Sequence, residues 1–343
     1  MAITIKDVAA LAGVSASTVS RVCNDNPSIS RETRDRVRRA MEQLGYEPNI
    51  GTDLPAATLH MIGVILPPSP DETYENSFHL KVIRGITQVC NQRQVATTIV
   101  TGRDEAEMLA AVKLLHQSRQ VDGFILLYAK EQDPVSDYLC EQGLLYVVIG
   151  DVSQAASPTI SIDNDNLLAG REATEYLWWL GHRRIGYLGS GEGFLYSAER
   201  KSGYQLALLQ HNQPFRPEYC IESEGPLAKE NGPIRRLLAE EDRPTAFVVS
   251  DDILAVGLER ICVQMGLQIP GDVAIISFNN SLLSYLTYPQ LTSVEVNSFQ
   301  LGFEAASQII NHVENPNLMA AKIIIPHRII ERASSCPVSG EKT

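Results

Sequence analysis

From Met61 onward the chain changes period, and this change restricts its possible folds more than any other feature. Short β-branched and aliphatic runs fall at 61–66, 96–101, 123–128, 145–150, 159–163, 184–189, 245–250, 273–278, 291–296 and 322–326. Longer amphipathic segments separate them, for example 79–93, 104–118, 165–181, 197–210, 252–266 and 298–313. Such alternation predicts parallel sheets built from right-handed βαβ units. Ten strands are too many for one modest sheet, so two open α/β subdomains facing a cleft are expected. The length of 343 residues also exceeds what a single core usually takes.

Before Met61 the pattern is purely helical. Thr4 is placed to cap a first helix, with Asp7 in the capping-box position. Ile5, Val8, Ala9 and Ala12 recur on one face of that helix. Gly13 allows a tight turn, and Ser15 caps a second helix that turns Val19 and Val22 inward. The opposite face of the second helix shows Ala16, Ser17, Ser20 and Arg21. Short side chains beside one guanidinium let a helix enter a major groove and touch base edges. A plain helical hairpin is the bland alternative. Ser30 caps a third helix whose apolar stripe is Thr33, Val37, Ala40, Met41 and Leu44, ended by Gly45, Tyr46 and Pro48. Arg31, Arg34, Arg36, Arg38 and Arg39 stud this helix, and several can serve only as i,i+4 partners of Asp35 and Glu42.

The formal net charge of -12 speaks against nucleic acid only when read globally. Residues 1–49 hold seven basic and six acidic side chains, so the acidity belongs to the remainder. A head this weakly basic predicts modest non-specific DNA affinity and specificity that depends on dimerisation. The six cysteines form no CxxC pair, and no histidine spacing suits a metal, which fits a reducing cytosol without metal or disulfide framework. No apolar run approaches 18 residues and no signal sequence is apparent, so a cytoplasmic location without membrane attachment is expected.

Several motifs resemble the LacI/GalR family of bacterial transcription regulators. They are IKDVAALAGVS, ASTVSRV and LGYEPN in the head, then IGVILP (62–67), VDGFIL (121–126), GHRRIGYLG (181–189), ERKSGY (199–204) and PQLTSVEV (289–296). The resemblance runs through nearly the whole chain in order. It implies an α/β fold class with an N-terminal three-helix helix-turn-helix head and a periplasmic-binding-protein-like body of two doubly wound α/β subdomains. The expected boundaries are 1–49 for the head, 50–60 for a hinge, 61–335 for the effector-binding and dimerisation domain, and 336–343 for a tail. Within the body the chain is expected to cross near 160, 290 and 324. This gives an N-subdomain of about 61–160 and 291–322 and a C-subdomain of about 161–290 and 323–335.

The residues assigned to operator DNA are Thr4, Ala16, Ser17, Thr18, Ser20, Arg21, Asn24, Arg31 and Leu54. Leu54 lies in IGTDLPAATLHM, where the family usually has a short helix with a leucine wedged into the minor groove. Gly51 and Pro55 are poor in a helix interior, so a plain linker is an equal reading.

Ligands of open α/β sheets sit beyond the carboxyl ends of strands. There the sequence places Asp151, the run Ser250-Asp251-Asp252, Asn279-Asn280-Ser281, and the segment 189–200 that delivers Arg200. Asp251 can equally be no more than a helix cap. By resemblance Asp151 and Arg200 match family effector positions, Asn279 stands where aspartate is commoner, and Val296 stands where some sugar-responsive members are polar. Asn76, Ser77 and Phe78, after the first strand, are expected to reach the cleft, with Phe78 stacking on a sugar. Carboxylates, amides and one arginine suit a neutral polyhydroxyl ligand, since each hydroxyl both donates and accepts.

The expectation is a homodimeric, operator-binding transcriptional regulator acting as a repressor, with a neutral sugar effector and no cofactor. A transport-type sugar-binding protein shares the body but not the head. An α/β enzyme needs a catalytic constellation, and neither a GxGxxG, a P-loop nor a GxSxG elbow occurs.

Overall fold

The computed structural model describes residues 5–15, 18, 19, 22, 31–44, 61–69, 77–152, 159–191, 193–223 and 232–335. The chain divides between Thr58 and Leu59 into a head unit and a body unit. In the head, helix Ile5–Ala12 ends at Gly13, whose φ of 64° is the left-handed turn conformation that glycine tolerates without strain. Ser15 accepts from the Thr18 N–H at 3.2 Å, the capping bond that its position predicts. Val8, Ala12, Val19, Val22, Val37 and Ala40 are buried together, with Met41 and Leu44 against them, so helix Arg31–Leu44 completes the small core. The linker at 50–60 and the tail at 336–343 lie outside the described residues.

The body holds two sheets. The first contains β1 (Met61–Ile65), β2 (Ala96–Val100), β3 (Gly123–Leu126), β4 (Tyr146–Ile149), β5 (Ile160–Asp163) and β11 (Lys322–Ile324) in the order β11-β5-β4-β3-β1-β2, all parallel. The second contains β6 (Ile185–Ser190), β7 (Cys220–Ser223), β8 (Ala246–Val249), β9 (Ala274–Phe278), β10 (Thr292–Glu295) and β12 (Arg328–Ile330) in the order β12-β10-β9-β8-β6-β7. Only the β10–β12 pairing is antiparallel among these. Central strands such as β3, β4 and β8 are buried along their whole length, as strands covered by helices on both faces must be. Each sheet accordingly carries a separate apolar cluster on either face.

One helix pair in each lobe approaches unusually closely. A Cβ at Gly302 would collide with the carbonyl of Val82, and one at Gly85 with the carbonyl of Phe299, where helices Ser77–Gln92 and Ser298–Glu314 cross. Gly170 and Gly203 do the same for helices Asn166–Trp179 and Leu195–Gln210 in the second lobe.

The crossings differ from the sequence reading. The strand expected at 291–296 pairs with β9 in the second sheet, so the chain returns to the first lobe after Glu295 rather than near 290. The first crossing follows β5, which ends at Asp163, and the last falls between β11 and β12. Asn164, buried between them, donates from Nδ2 to the carbonyls of Val296 (3.0 Å) and Ile325 (2.8 Å) and so ties all three crossings together. Strands β7 and β12 were not anticipated. Both are short edge strands with several exposed or half-buried positions, so neither shows the apolar run of a central strand.

Candidate functional site

In the head, Thr18 and Arg31 are the DNA-assigned residues within the described set. The Thr18 hydroxyl lies 2.9 Å from Ser15 Oγ, so it takes part in the cap itself. Arg31 is exposed at the start of its helix. Thr4, Ala16, Ser17, Ser20, Arg21, Asn24 and Leu54 lie outside the described residues.

In the body the assigned groups gather where strand ends of the two sheets face each other. Arg200, on helix Leu195–Gln210, is 5% exposed. Its Nε donates to Asn166 Oδ1 at 3.0 Å and its Nη1 to the Ser250 carbonyl at 2.6 Å. The guanidinium lies 4.2 Å from the Phe278 ring centroid and 5.0 Å from that of Tyr196. Arg200 makes no ion pair among the described residues, and its Nη2 makes no hydrogen bond among them. The fork expected to lie across a ligand is therefore largely committed to holding strand ends together.

Asp251 realises the capping alternative and something more. Its Oδ1 accepts from the Leu254 N–H at 2.8 Å, while Oδ2 accepts from Ser190 Oγ at 2.8 Å. Asp252, its neighbour, is internal: it accepts from Ser277 Oγ, Ser293 Oγ and the Ser281 N–H, which binds β9, β10 and the following turn. Asn280 is likewise structural, donating to Glu295 and receiving Arg332. Asn279 differs from both. Its φ of 93° turns the backbone at the end of β9, and its side-chain amide makes no hydrogen bond among the described residues.

Asp151 follows β4 and accepts from Lys322 Nζ at 3.0 Å and from the Val152 N–H at 2.8 Å. Two carboxyls that sequence reasoning missed stand beside it. Asp163 ends β5, and burial pushes its pKa up to about 6 despite the Asn164 N–H and the Arg200 charge. Glu199 is raised to about 7 by burial first and then by the charges of Asp163 and Asp151, with Lys322 opposing. Neither looked distinctive in sequence, one being the end of an apolar strand and the other a helix residue beside Arg200.

Ser77 begins helix Ser77–Gln92, and its Oγ is buried without a partner among the described residues. Phe78 packs against apolar clusters of both lobes, which leaves it half-buried at the junction. Asn76 is outside the described residues. Phe194 is half-buried against the first lobe's cluster, and the Tyr196 ring lies against Arg200.

A two-lobed α/β body joined in sequence to a small helical head is the architecture of a ligand-responsive DNA-binding regulator. The head, residues 4–49, matches the model described as bacterial regulatory proteins, lacI family, and residues 174–335 match a periplasmic binding protein-like domain. The chain is 35% identical to the HTH-type transcriptional regulator MalR of Streptococcus pneumoniae serotype 4, over 97% of this chain and all of the relative. It is 32% identical to MalR of Staphylococcus xylosus, over 98% and 99%. Its fold superposes on a CelR–cellobiose complex with a TM-score of 0.75, 26% identity and coverage of 97% and 100%. A lac repressor dimer bound to operator and an anti-inducer matches in fold alone, with a TM-score of 0.77 at 23% identity over 98% and 100%. The chain belongs to the lacI family of bacterial regulatory proteins and is a transcriptional regulator rather than an enzyme. Among the described residues no helix is long and apolar enough to cross a membrane.

Proposed function

We propose that this regulator is a homodimeric repressor whose operator affinity is set by a neutral carbohydrate bound between the lobes. The observation that carries this reading is the charge of the junction. Asp151, Asp163, Glu199 and Asp251 face it, while the described cations around it are already engaged, Lys322 by Asp151, Arg200 by Asn166 and Ser250, Lys81 by the Asn280 carbonyl and Lys130 by Glu105. Among the described residues a phosphate would meet carboxylates without an unengaged cation, whereas hydroxyls can donate to the carboxylates and accept from Arg200 Nη2 and the Asn279 amide. The cellobiose in the CelR complex is a ligand of this class. Binding must favour one lobe arrangement for it to shift the population that grips DNA.

The test is a gel shift of the full-length protein on its operator with maltose, cellobiose and glucose 6-phosphate. A neutral sugar should change operator affinity and the phosphorylated one should not; response to the phosphorylated sugar alone overturns the reading. In the head, Arg21→Ala should cost about 1–3 kcal/mol at the cognate site and relax the preference at one base pair. An unchanged footprint would remove Arg21 from the base-reading set.

A further inference from the structure

The two lobes are joined by main-chain bonds that the regulatory reading does not use. The Leu195 N–H donates to the Ala129 carbonyl at 3.3 Å and the Glu131 N–H to the Gly193 carbonyl at 3.4 Å. Between these bonds Lys130 and Phe194 form an antiparallel bridge that belongs to neither sheet. Side chains support it from both directions. Phe194 and Leu195, which come from the second lobe, pack half-buried against the first lobe's apolar cluster. From the first lobe, Lys130 Nζ donates to Glu105 Oε1 at 2.5 Å. The lysine stem lies over Gly193, where a Cβ would come within 3.2 Å of Lys130 Cε. Gly193 has a φ of 98°, which a residue with a side chain would adopt only under strain.

Strand order gives this bridge its leverage. The chain crosses between lobes after β5, β10 and β11, at one end of each sheet. The bridge is reached instead from β3 in the first sheet and from β6 in the second. In the sheet order β3 lies two strands beyond β5, and β6 lies three strands beyond β10. At about 4.8 Å per strand these separations are roughly 10 and 14 Å. The strands in between are those that carry the candidate ligand groups: β4 leads to Asp151, β8 to Asp251 and β9 to Asn279. The ligand space is therefore bounded by the crossings on one side and by the bridge on the other.

We propose that segments 129–131 and 193–195 form a clasp, which fastens the lobes on the side away from the crossings and has to come apart before a ligand can pass on that side. Its strength suits a device that opens and recloses. Two main-chain bonds and one half-buried ring hold far less than the ladders and apolar clusters within either lobe, so the clasp opens without unfolding the lobes. When it opens, the crossings still hold the lobes together, and the bridge side is the one that gapes.

The experiment is hydrogen exchange by mass spectrometry on the ligand-free full-length protein, reading peptides over 129–131 and 193–199 against peptides from β3 and β8. Phe194→Ala removes the apolar anchor and should lower the protection of both clasp peptides about tenfold, while β3 and β8 keep theirs. Phe194→Leu should restore most of it. A cross-link gives a second measurement. The 130–194 pair lies between the two hydrogen bonds and makes none itself, so its Cα atoms are about 4.5 Å apart, within disulfide reach. Lys130→Cys combined with Phe194→Cys should form that disulfide under mild oxidation, as identified by peptide mapping. Unchanged protection in Phe194→Ala, loss spread equally over β3 and β8, or failure of the pair to cross-link overturns the clasp. Control of ligand passage rests on the carbohydrate reading: in the gel shift with maltose and cellobiose, the reduced pair variant should respond and the oxidised one should not. An equal response in both forms overturns that control. Silence of wild type towards every sugar would count against the carbohydrate reading alone, since exchange and cross-linking use none.

Discussion

Arg200 is held by Asn166, the Ser250 carbonyl and two aromatic rings, so removing it does more than empty a ligand contact. Arg200→Ala leaves Asn166 Oδ1 and the Ser250 carbonyl without their donor, at about 1–3 kcal/mol for each buried group left unpaired. Urea denaturation should show that loss, and loss of sugar response in this variant would then say little about binding. Asn279 gives the cleaner test. Its amide is uncommitted and its φ of 93° suits glycine, so Asn279→Gly should keep wild-type stability while weakening the response to a neutral sugar in the gel shift. An unchanged response would exclude the Asn279 side chain from the ligand shell. Glu259 is a second residue whose role is energetic. Glu259 is 7% exposed, its Oε1 has no partner among the described residues, and burial pushes its pKa up to about 8. The folded protein keeps a proton there that the unfolded chain releases above about 4.5, so this contribution to stability falls as pH rises to about 8. Glu259→Gln should flatten that part of the stability profile in melts across the range, and an unaltered slope would rule out Glu259 as its source.

At the scale of elements, the caps at Ser15 and Asp251 were legible in the sequence, and Asp104, Asp133 and Asp165, which it did not mark, cap their helices in the same way, each accepting from the N–H three residues on, where a helix leaves donors unsatisfied. The helix crossings were not legible. Gly85 and Gly302 read locally as weak helix positions, and only the packing of helices 77–92 and 298–314 shows that a side chain cannot fit there. Gly302→Ala should therefore destabilise by about 1–3 kcal/mol despite its better helix propensity. A stabilised variant in thermal melts would mean that the two helices can separate without cost.

For the whole molecule, Asn164 links all three chain crossings, and its two acceptor carbonyls belong to segments 132 and 161 residues away. Asn164→Ala should strand both buried carbonyls, at about 1–3 kcal/mol each, and loosen the lobes relative to one another. Calorimetry should show a lower melting temperature, and faster hydrogen exchange should appear at 164, 296 and 325; wild-type behaviour in both would show that the crossings hold without it. What the sequence determined alone was local in origin. Short apolar, β-branched runs against segments of period 3.6 set the strands and helices, charged or polar caps set helix starts, and a capped helix pair of small residues pointed to the head. Position after strands also put Asp151, Arg200 and Asn279 near the ends of the sheets, where the structure has them at the junction. Tertiary structure decided which of these side chains stay available: Arg200 and Asp252 are mostly consumed by internal bonds, and Asp163 and Glu199 join the junction from elements that carried no such mark. It also moved β10 into the second sheet. Pairing partners, burial and shifted protonation depend on groups far apart in the chain, and their energies arise only when folding brings those groups together.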